Sequence, residues 1–174
     1  ETGPSTGPGL AGAPHQVLVA GELLDPDRPT RVETPGRDAD LGAHAEFAAV
    51  ASRLLVLKTR VLFRSPSGQW AERAWPAGAA EDDDPVVWAA ASGETFLGTH
   101  DGVFRTANRG ASWSRAGDPG EVRAMWGRSV NDVYALTPRG LSHYDGKTWS
   151  PTSFTGEAQL LGGTAKRVFV IAKD

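Results

Sequence analysis

Hydrophobic residues in this chain fall in short runs that alternate with polar positions and end at turn-forming residues. One such run, at Leu55, is followed by a second run and then a tryptophan, and the same order starts again at Phe96 and at Tyr134. These three anchors lie 41 and 38 residues apart. Period-two alternation over a few residues predicts β-strands, and a recurrence of about 40 residues predicts one repeated four-stranded unit.

The repeat predicts three complete units, at 44–75, 86–116 and 121–152. A fourth unit, at 157–174, has only the first two strands of the pattern. Each complete unit reads as a blade of four antiparallel strands with tight turns. The pattern therefore predicts an all-β fold, a small β-propeller of about four blades, in a single domain over 15–174.

The two ends of the chain suggest how the last blade closes. Two further strands are predicted in the segment 15–35, and we expect them to complete the fourth unit. The strand near 16–20 would then lie beside the strand near 166–172. Closure of this kind removes sheet edges that would otherwise pair with other chains. The alternative is a half-propeller that dimerises into an eight-bladed ring through its unpaired blade edges, which would make the protein a homodimer.

Composition and charge exclude several classes of function. The net charge is −3 over 174 residues, so no basic face for nucleic acid is expected. The chain has no cysteine, which excludes disulfides and thiolate metal sites, and no apolar run long enough to span a membrane.

Residues 1–14 are rich in Gly, Pro, Ser and Thr, a composition typical of a flexible tether or of residues added by cloning. Since tethers often follow a secretion signal, we expect a secreted, periplasmic or cell-surface protein.

One hairpin carries a family resemblance. Residues 106–113, Thr-Ala-Asn-Arg-Gly-Ala-Ser-Trp, resemble the Ser/Thr-x-Asp-x-Gly-x-x-Trp hairpin of bacterial Asp-box propellers of the neuraminidase-repeat type, with Asn108 in place of the usual aspartate. The segment around Trp126 is similar to the Trp-Gly…Asp-Val-Tyr-Ala phrase of secreted bacterial propeller repeats. The resemblance implies a propeller fold. In residue terms, the Asn108 side chain is expected to cap turn amides, Gly110 to adopt a left-handed conformation, and Trp113 to anchor the hairpin.

Aromatic residues on the innermost strands are the candidate ligand-binding residues. Phe47, Trp88 and Trp126 each precede a repeat anchor by eight residues, and Leu161 takes that place in the fourth unit. They are expected at equivalent positions, where large rings either pack between blades or form a platform for a sugar or peptide. The tryptophans that end the repeats are expected to pack.

Other chemistry-bearing residues form no recognisable constellation. The acidic run at 81–84 lacks the alternation of a calcium loop, and the four histidines share no spacing, so no metal and no cofactor are predicted. No nucleophile, phosphate-loop or zinc-protease motif occurs. We therefore expect a protein that is not an enzyme but a binding or scaffold module engaging a protein or glycan partner through blade loops or its central face. The alternatives are a lectin using the inner tryptophans and a glycoside hydrolase-like enzyme with an unrecognised carboxylate pair.

Overall fold

The fold was examined in a computed structural model. It describes the strand backbone at 17–19, 22–25, 28–32, 45–48, 53–57 and 60–64, then residue 67 and the stretches 69–80, 85–90 and 92–172, with side chains for 61–63, 67, 69, 71–80, 85–90 and 92–172. Every regular element in these residues is a β-strand. The strands are β1 (Val17–Val19), β2 (Glu22–Asp25), β3 (Arg28–Val32), β4 (Ala45–Ala48), β5 (Arg53–Leu57), β6 (Arg60–Arg64), β7 (Trp70–Arg73), β8 (Val86–Ala89), β9 (Thr95–Thr99), β10 (Gly102–Thr106), β11 (Ser114–Gly117), β12 (Ala124–Ser129), β13 (Asp132–Thr137), β14 (Gly140–Tyr144), β15 (Trp149–Pro151), β16 (Ala158–Gly163) and β17 (Val168–Ala172).

Three four-stranded antiparallel sheets follow one another along the chain. Blade 1 is β4–β7, blade 2 is β8–β11 and blade 3 is β12–β15, each a simple meander. The first strand of each blade lies beside the first strand of the next, and β16 continues this row beyond β12. Successive meanders packed side by side along their innermost strands form a β-propeller. The predicted all-β fold and small propeller are therefore confirmed.

The hydrophobic core lies between the blades. Blades 1 and 2 meet through Val61, Phe63 and Leu97, while blades 2 and 3 meet through a cluster that includes Phe96 and Val133. Strand β9 is buried at every position, because its alternate residues face the two neighbouring blades. This explains why β9 reads as a continuous apolar run, whereas an outer strand such as β11 is largely exposed.

The hairpins that join second and third strands repeat in detail. Thr99 Oγ1 donates to the carbonyl of Gly102 at 3.2 Å, and Thr137 Oγ1 donates to the carbonyl of Gly140 at 3.0 Å. Each threonine hydroxyl also accepts from a turn amide, so both buried hydroxyls are satisfied. Gly102 and Gly140 have φ angles of 119° and 124°, in the region that favours glycine. The tight turns predicted within each unit are therefore confirmed at these two hairpins.

The ends of the chain differ from the predicted closure. Strands β1, β2 and β3 form a sheet of their own, and β16 and β17 form a two-stranded sheet. The predicted pairing of the strand near 16–20 with the strand near 166–172 is therefore wrong among the described strands, where β17 pairs only with β16. Strand β1 pairs instead with β2, in a register that sets Val19 opposite Glu22.

Candidate functional site

The two tryptophans predicted at inner-strand positions pack on glycines of the next sheet. A Cβ atom added to Gly127 would lie 2.8 Å from Trp88 Cζ2, and one added to Gly163 would lie 2.6 Å from Trp126 Cζ2. Trp88 is buried in the core between blades 2 and 3, whereas Trp126 is half-buried. The Trp88 ring thus fills the wedge between two blades, and only Trp126 retains an accessible surface.

Phe47 and Leu161 do not occupy the positions equivalent to these tryptophans. Trp88 pairs with Phe96 across β8 and β9. Phe96 lies three residues before Thr99, the residue of β9 that pairs with Gly102 at the turn into β10. In blade 1 the residue three positions before the turn pair is Leu54, which pairs with Ala48. Ala48 is therefore the equivalent of Trp88, and Phe47 lies one position before it. In β16 the equivalent is Gly162, not Leu161. Neighbouring strand positions alternate between faces, so a shift of one residue removes the predicted equivalence. The side chain of Phe47 lies outside the described residues.

The hairpin at 106–113 has the hydrogen bonding expected of its sequence. The amide of Ser112 donates to Asn108 Oδ1 at 2.9 Å, and the amide of Gly110 donates to Thr106 Oγ1 at 2.9 Å. Arg109 and Gly110 are left-handed, with φ angles of 56° and 75°. The predicted capping by Asn108 and the left-handed Gly110 are confirmed. Membership of the Asp-box family remains a prediction.

This hairpin connects blade 2 to blade 1. Trp113 Nε1 donates to the carbonyl of Ala74 at 3.2 Å, and a Cβ atom on Gly110 would lie 2.6 Å from Phe63 Cε2. The predicted anchoring role of Trp113 is thereby confirmed. Trp149, which ends blade 3, packs in part against the core between blades 2 and 3, as predicted. The side chain of Trp70 is not among the described ones. The hairpin tryptophans that can be observed are therefore framework residues.

A group of polar and aromatic side chains lies at one end of blade 3, and we call it the blade-3 cluster: Arg128, Asp132, Tyr134 and His143. Arg128 Nε lies 2.5 Å from Asp132 Oδ2, and His143 Nε2 donates to Asp132 Oδ1 at 2.9 Å. Arg128 Nη2 donates to the Tyr134 hydroxyl at 3.1 Å. The rings of Tyr134 and His143 are stacked with centroids 4.5 Å apart. Antiparallel pairing of β12, β13 and β14 brings these residues together.

The electrostatics of the cluster keep Asp132 ionised. Partial burial disfavours the charged carboxylate, but the hydrogen bonds from Arg128 and His143 outweigh it and lower the pKa of Asp132. The same contact with Asp132 raises the pKa of Arg128. The carboxylate thus holds an arginine and a histidine in place beside an aromatic ring. Such a set can accept an aromatic group by stacking and a hydroxyl or carbonyl by hydrogen bonding.

Blade 2 carries a counterpart of this cluster at the same register positions. Glu94 and Arg105 correspond to Asp132 and His143, with Arg105 Nε donating to Glu94 Oε1 at 3.1 Å. Both pairs are partly exposed, but the aromatic residues beside them differ: Phe96 is fully buried, whereas Tyr134 is only half-buried. Tyr144 of blade 3 covers Phe96, with ring centroids 5.9 Å apart.

The aromatic anchor at this position becomes more exposed along the chain. Phe96 in β9 is 0% exposed, Tyr134 in β13 is half-buried, and Phe169 at the equivalent position of β17 is 53% exposed. Ile171 in β17 is 54% exposed, although its counterpart Leu136 in blade 3 is 1% exposed. Blade 2 has a complete blade beside this face, blade 3 has the two-stranded β16–β17 sheet, and among the described strands β17 is hydrogen-bonded only to β16.

Other residues considered from the sequence give no site. The acidic run at 81–84 and the histidines at 15 and 44 lie outside the described residues. His143 Nε2 is satisfied by Asp132. Within the described stretches no group of three potential metal-ligating side chains is found, and these stretches contain no helix that could cross a membrane.

Comparison with known proteins identifies the fold only. No family model matches the chain, and no curated protein matches it. Two solved structures are similar to it: virginiamycin B lyase from Staphylococcus aureus, with a TM-score of 0.62 and 10% identity over 87% of this chain, and YCF48 bound to D1 peptide, with a TM-score of 0.64 and 18% identity over 91% of this chain. The chain covers 55% and 59% of those two proteins, so it spans less than two thirds of their length.

The lyase corrects one expectation from the sequence. The prediction that the chain is not an enzyme rested on the lack of a recognisable catalytic motif in a propeller repeat. That prediction is contradicted by an enzyme with the same fold. A propeller scaffold therefore does not exclude catalysis, because function depends on the residues of a site rather than on the fold that holds it.

Of the blade-3 cluster, the sequence analysis identifies only Tyr134, as a repeat anchor, and it does not predict the cluster. Asp132 lies two positions before the anchor, and His143 pairs with the anchor across the sheet. Aligning the repeats at their turns would have shown that Glu94 and Arg105 take the same places in blade 2. This charge pairing at equivalent positions was the available signal.

Proposed function

We propose that this chain is a binding module that holds an extended segment of a protein partner at the blade-3 cluster. The observation that carries the proposal is the half-buried Tyr134 ring, stacked on His143 beside an arginine and an aspartate that are already paired. In blade 2 the equivalent aromatic is covered by a side chain of the next blade.

The chemistry of the cluster favours a peptide over a small charged ligand. Both carboxylate oxygens of Asp132 are engaged, and the Arg128 guanidinium is partly neutralised by that carboxylate. The exposed parts of the half-buried Tyr134 and Trp126 rings, whose centroids lie 6.3 Å apart, remain beside these hydrogen-bonding groups, and a surface of this kind accepts aromatic and amide groups. The structure of YCF48 with D1 peptide supports a peptide ligand, because a protein of similar fold binds a peptide in it.

A phage-displayed library of random linear peptides, panned against the intact chain, tests the proposal. We expect peptides with a shared aromatic position, and their affinity should fall at least about tenfold in the Arg128→Ala and His143→Ala variants, as for central interface residues. Arg123→Ala is the matched control, because Arg123 is also a surface arginine in an ion pair, with Glu121 at 3.1 Å, but lies outside the cluster. Peptides that bind all three variants as they bind the wild type would refute the assignment of the site.

The glycan partner and the exported location remain predictions. Binding of the wild type on a glycan array, abolished by Trp126→Ala, would support the lectin alternative. Protease accessibility on intact cells would test the location.

A further inference from the structure

We infer that His143 is the hydrogen-bond acceptor of the blade-3 cluster, and that it selects a residue with an N–H or O–H donor at the aromatic position of the bound peptide. Tryptophan and tyrosine carry such a donor and phenylalanine does not. This inference rests on the proposed function and names the residue that sets the specificity of that site.

The contact with Asp132 fixes which nitrogen of His143 carries the proton. An ionised carboxylate accepts hydrogen bonds but cannot donate them, so Nε2, 2.9 Å from Asp132 Oδ1, must hold the proton. In a neutral imidazole the other nitrogen, Nδ1, then presents a lone pair. No hydrogen bond to Nδ1 is found in the part of the chain that the structure describes. Asp132 is thus a positioning residue, and it leaves Nδ1 of His143 as an acceptor for a ligand.

The other groups of the cluster either donate or are already engaged. The Tyr134 hydroxyl accepts from Arg128 Nη2 at 3.1 Å and retains its own proton to donate. The two oxygens of Asp132 receive Arg128 and His143. An acceptor on the ligand can therefore bind at more than one place, whereas a donor finds its open acceptor at His143. An aromatic group without a donor leaves Nδ1 without a partner, and this lowers its affinity.

The backbone of blade 3 departs from the repeat at this cluster. The pairing of β12 with β13 shifts between Gly127 and Ser129, so Arg128 is the additional residue of a β-bulge. A bulge changes the direction of a side chain, and here it accompanies the contacts of Arg128 with Asp132 and Tyr134. In blade 2 the corresponding strands, β8 and β9, pair without such a shift. The bulge therefore belongs to the cluster rather than to the repeated blade.

Blade 2 has the same framework without an acceptor. Arg105 pairs with Phe96 as His143 pairs with Tyr134, and Arg105 donates to Glu94. An arginine side chain has no acceptor. The side chains of Arg105 and Glu94 are 27% and 20% exposed although blade 3 lies complete beside them, and that of His143 is 34% exposed. Solvent thus reaches this end of the blades even beside a complete neighbour, and of these two blades only blade 3 offers a ligand an acceptor there.

Imidazole nitrogen chemical shifts, measured by NMR on the isotopically labelled chain, test the tautomer. At about pH 8, where imidazole is ordinarily neutral, we expect Nε2 of His143 to be protonated and Nδ1 to be unprotonated. The His143→Phe variant, which lacks these signals, assigns them. In Asp132→Asn, whose amide either accepts or donates, we expect a mixture of both tautomers. A proton on Nδ1 in the wild type would overturn the inference, and an unchanged single tautomer in Asp132→Asn would overturn the positioning role of Asp132.

Peptides selected from the random linear library test the selectivity. We expect tryptophan or tyrosine, rather than phenylalanine, at their shared aromatic position. Exchanging that tryptophan for 3-benzothienylalanine, in which sulfur replaces the indole N–H, or that tyrosine for phenylalanine, should weaken binding about three- to tenfold. The donor-free peptide should also leave the Nδ1 resonance of His143 unchanged, whereas the parent peptide shifts it.

A protein variant shows whether His143 is the acceptor. His143→Phe keeps a ring against Tyr134 but has no acceptor, so the parent and donor-free peptides should bind it within about twofold of each other. Arg123→Ala, which lies outside the cluster, should retain the full difference between the two peptides. Circular dichroism and urea unfolding verify that both variants remain folded.

The outcomes separate this inference from the proposed function. Peptides that require Arg128 and His143 but bind equally well with and without the donor would refute the selectivity, while the binding function stands. A loss on removal of the donor that persists in His143→Phe would place the acceptor on another residue and overturn the inference. If no library peptide binds, both are refuted.

Discussion

Replacement of Gly127 by alanine tests the packing rule that orders these blades, in which a tryptophan of one inner strand lies on a glycine of the next sheet. A Cβ atom at Gly127 would lie 2.8 and 2.9 Å from two ring atoms of Trp88 and 3.0 Å from the backbone oxygen of Asp132. Trp88 is only 6% exposed and packs at 5.6 Å from Phe96, so its rigid ring has little room to move.

The expected magnitude is the difference between two opposing effects. Overpacking of a filled core costs about 1–3 kcal/mol. Removal of a glycine from the unfolded chain returns about 0.4–1 kcal/mol. The midpoints of these two ranges give roughly 1.3 kcal/mol, and we expect Gly127→Ala to lower the free energy of unfolding by about that amount. For a chain of this size that corresponds to a decrease in Tm of about 3–5 °C.

Urea unfolding followed by tryptophan fluorescence measures this change, and Gly156→Ala is the control. A Cβ atom at Gly156 would meet only Phe154 Cζ, at 3.6 Å, which is ordinary van der Waals contact. We expect this variant to be neutral or up to about 0.5 kcal/mol more stable. Trp88→Leu in the Gly127→Ala background should recover part of the loss, giving a coupling of about 1 kcal/mol. Equal stability of the two glycine variants, or additivity with Trp88→Leu, would show that this contact does not define the blade spacing.

Three further predictions concern hydrogen bonding. Asn108→Ala should destabilise the protein by about 1–2 kcal/mol in urea unfolding, since it leaves the Ser112 amide without its acceptor, whereas Asn108→Asp keeps that acceptor and should cost less; equal losses would contradict the capping role. Thr95→Val should be neutral or stabilising by about 1 kcal/mol, because Thr95 Oγ1 is buried without a partner among the described residues; a loss above that size would reveal a hidden partner. Asp132 has a lowered pKa in the folded state, so its contribution is present above its unfolded value of about 3.9 and is lost as the pH falls through the folded value. The stability difference between wild type and Asp132→Asn should therefore shrink on acidification below about pH 4, and a difference independent of pH would count against the ion pairs.

The sequence was sufficient to predict the strands of the blades. Strands and turns depend on local backbone preferences and on which residues are buried. Both can be predicted from the types of neighbouring residues and from their recurrence after about 40 residues. The same holds for the hairpin at 106–113, whose capping atoms and left-handed glycine lie within eight residues. Local chemistry of this kind needs no knowledge of the rest of the chain.

The positions of Phe47 and Leu161 could not be fixed in the same way. The spacing of the repeat can be wrong by one residue, and an error of one residue moves a side chain to the opposite face of the strand. Only the strand register, with Leu57 paired with Arg60, shows which residue of β4 is equivalent to Trp88. The pairing of β1 was open from the sequence for a related reason, because several arrangements satisfy the same strand edges. Only the strand register shows that β1 pairs with β2.

What the sequence determined by itself is therefore the repeated unit: four short strands, their turns, and the aromatic and threonine positions that recur in each blade. What only the tertiary structure decided is the relation between units. It places Trp88 on Gly127 and brings Arg128, Asp132 and His143 together across three strands. These relations depend on strand register and on which blade covers which face, and such long-range contacts have no counterpart in the order of neighbouring residues.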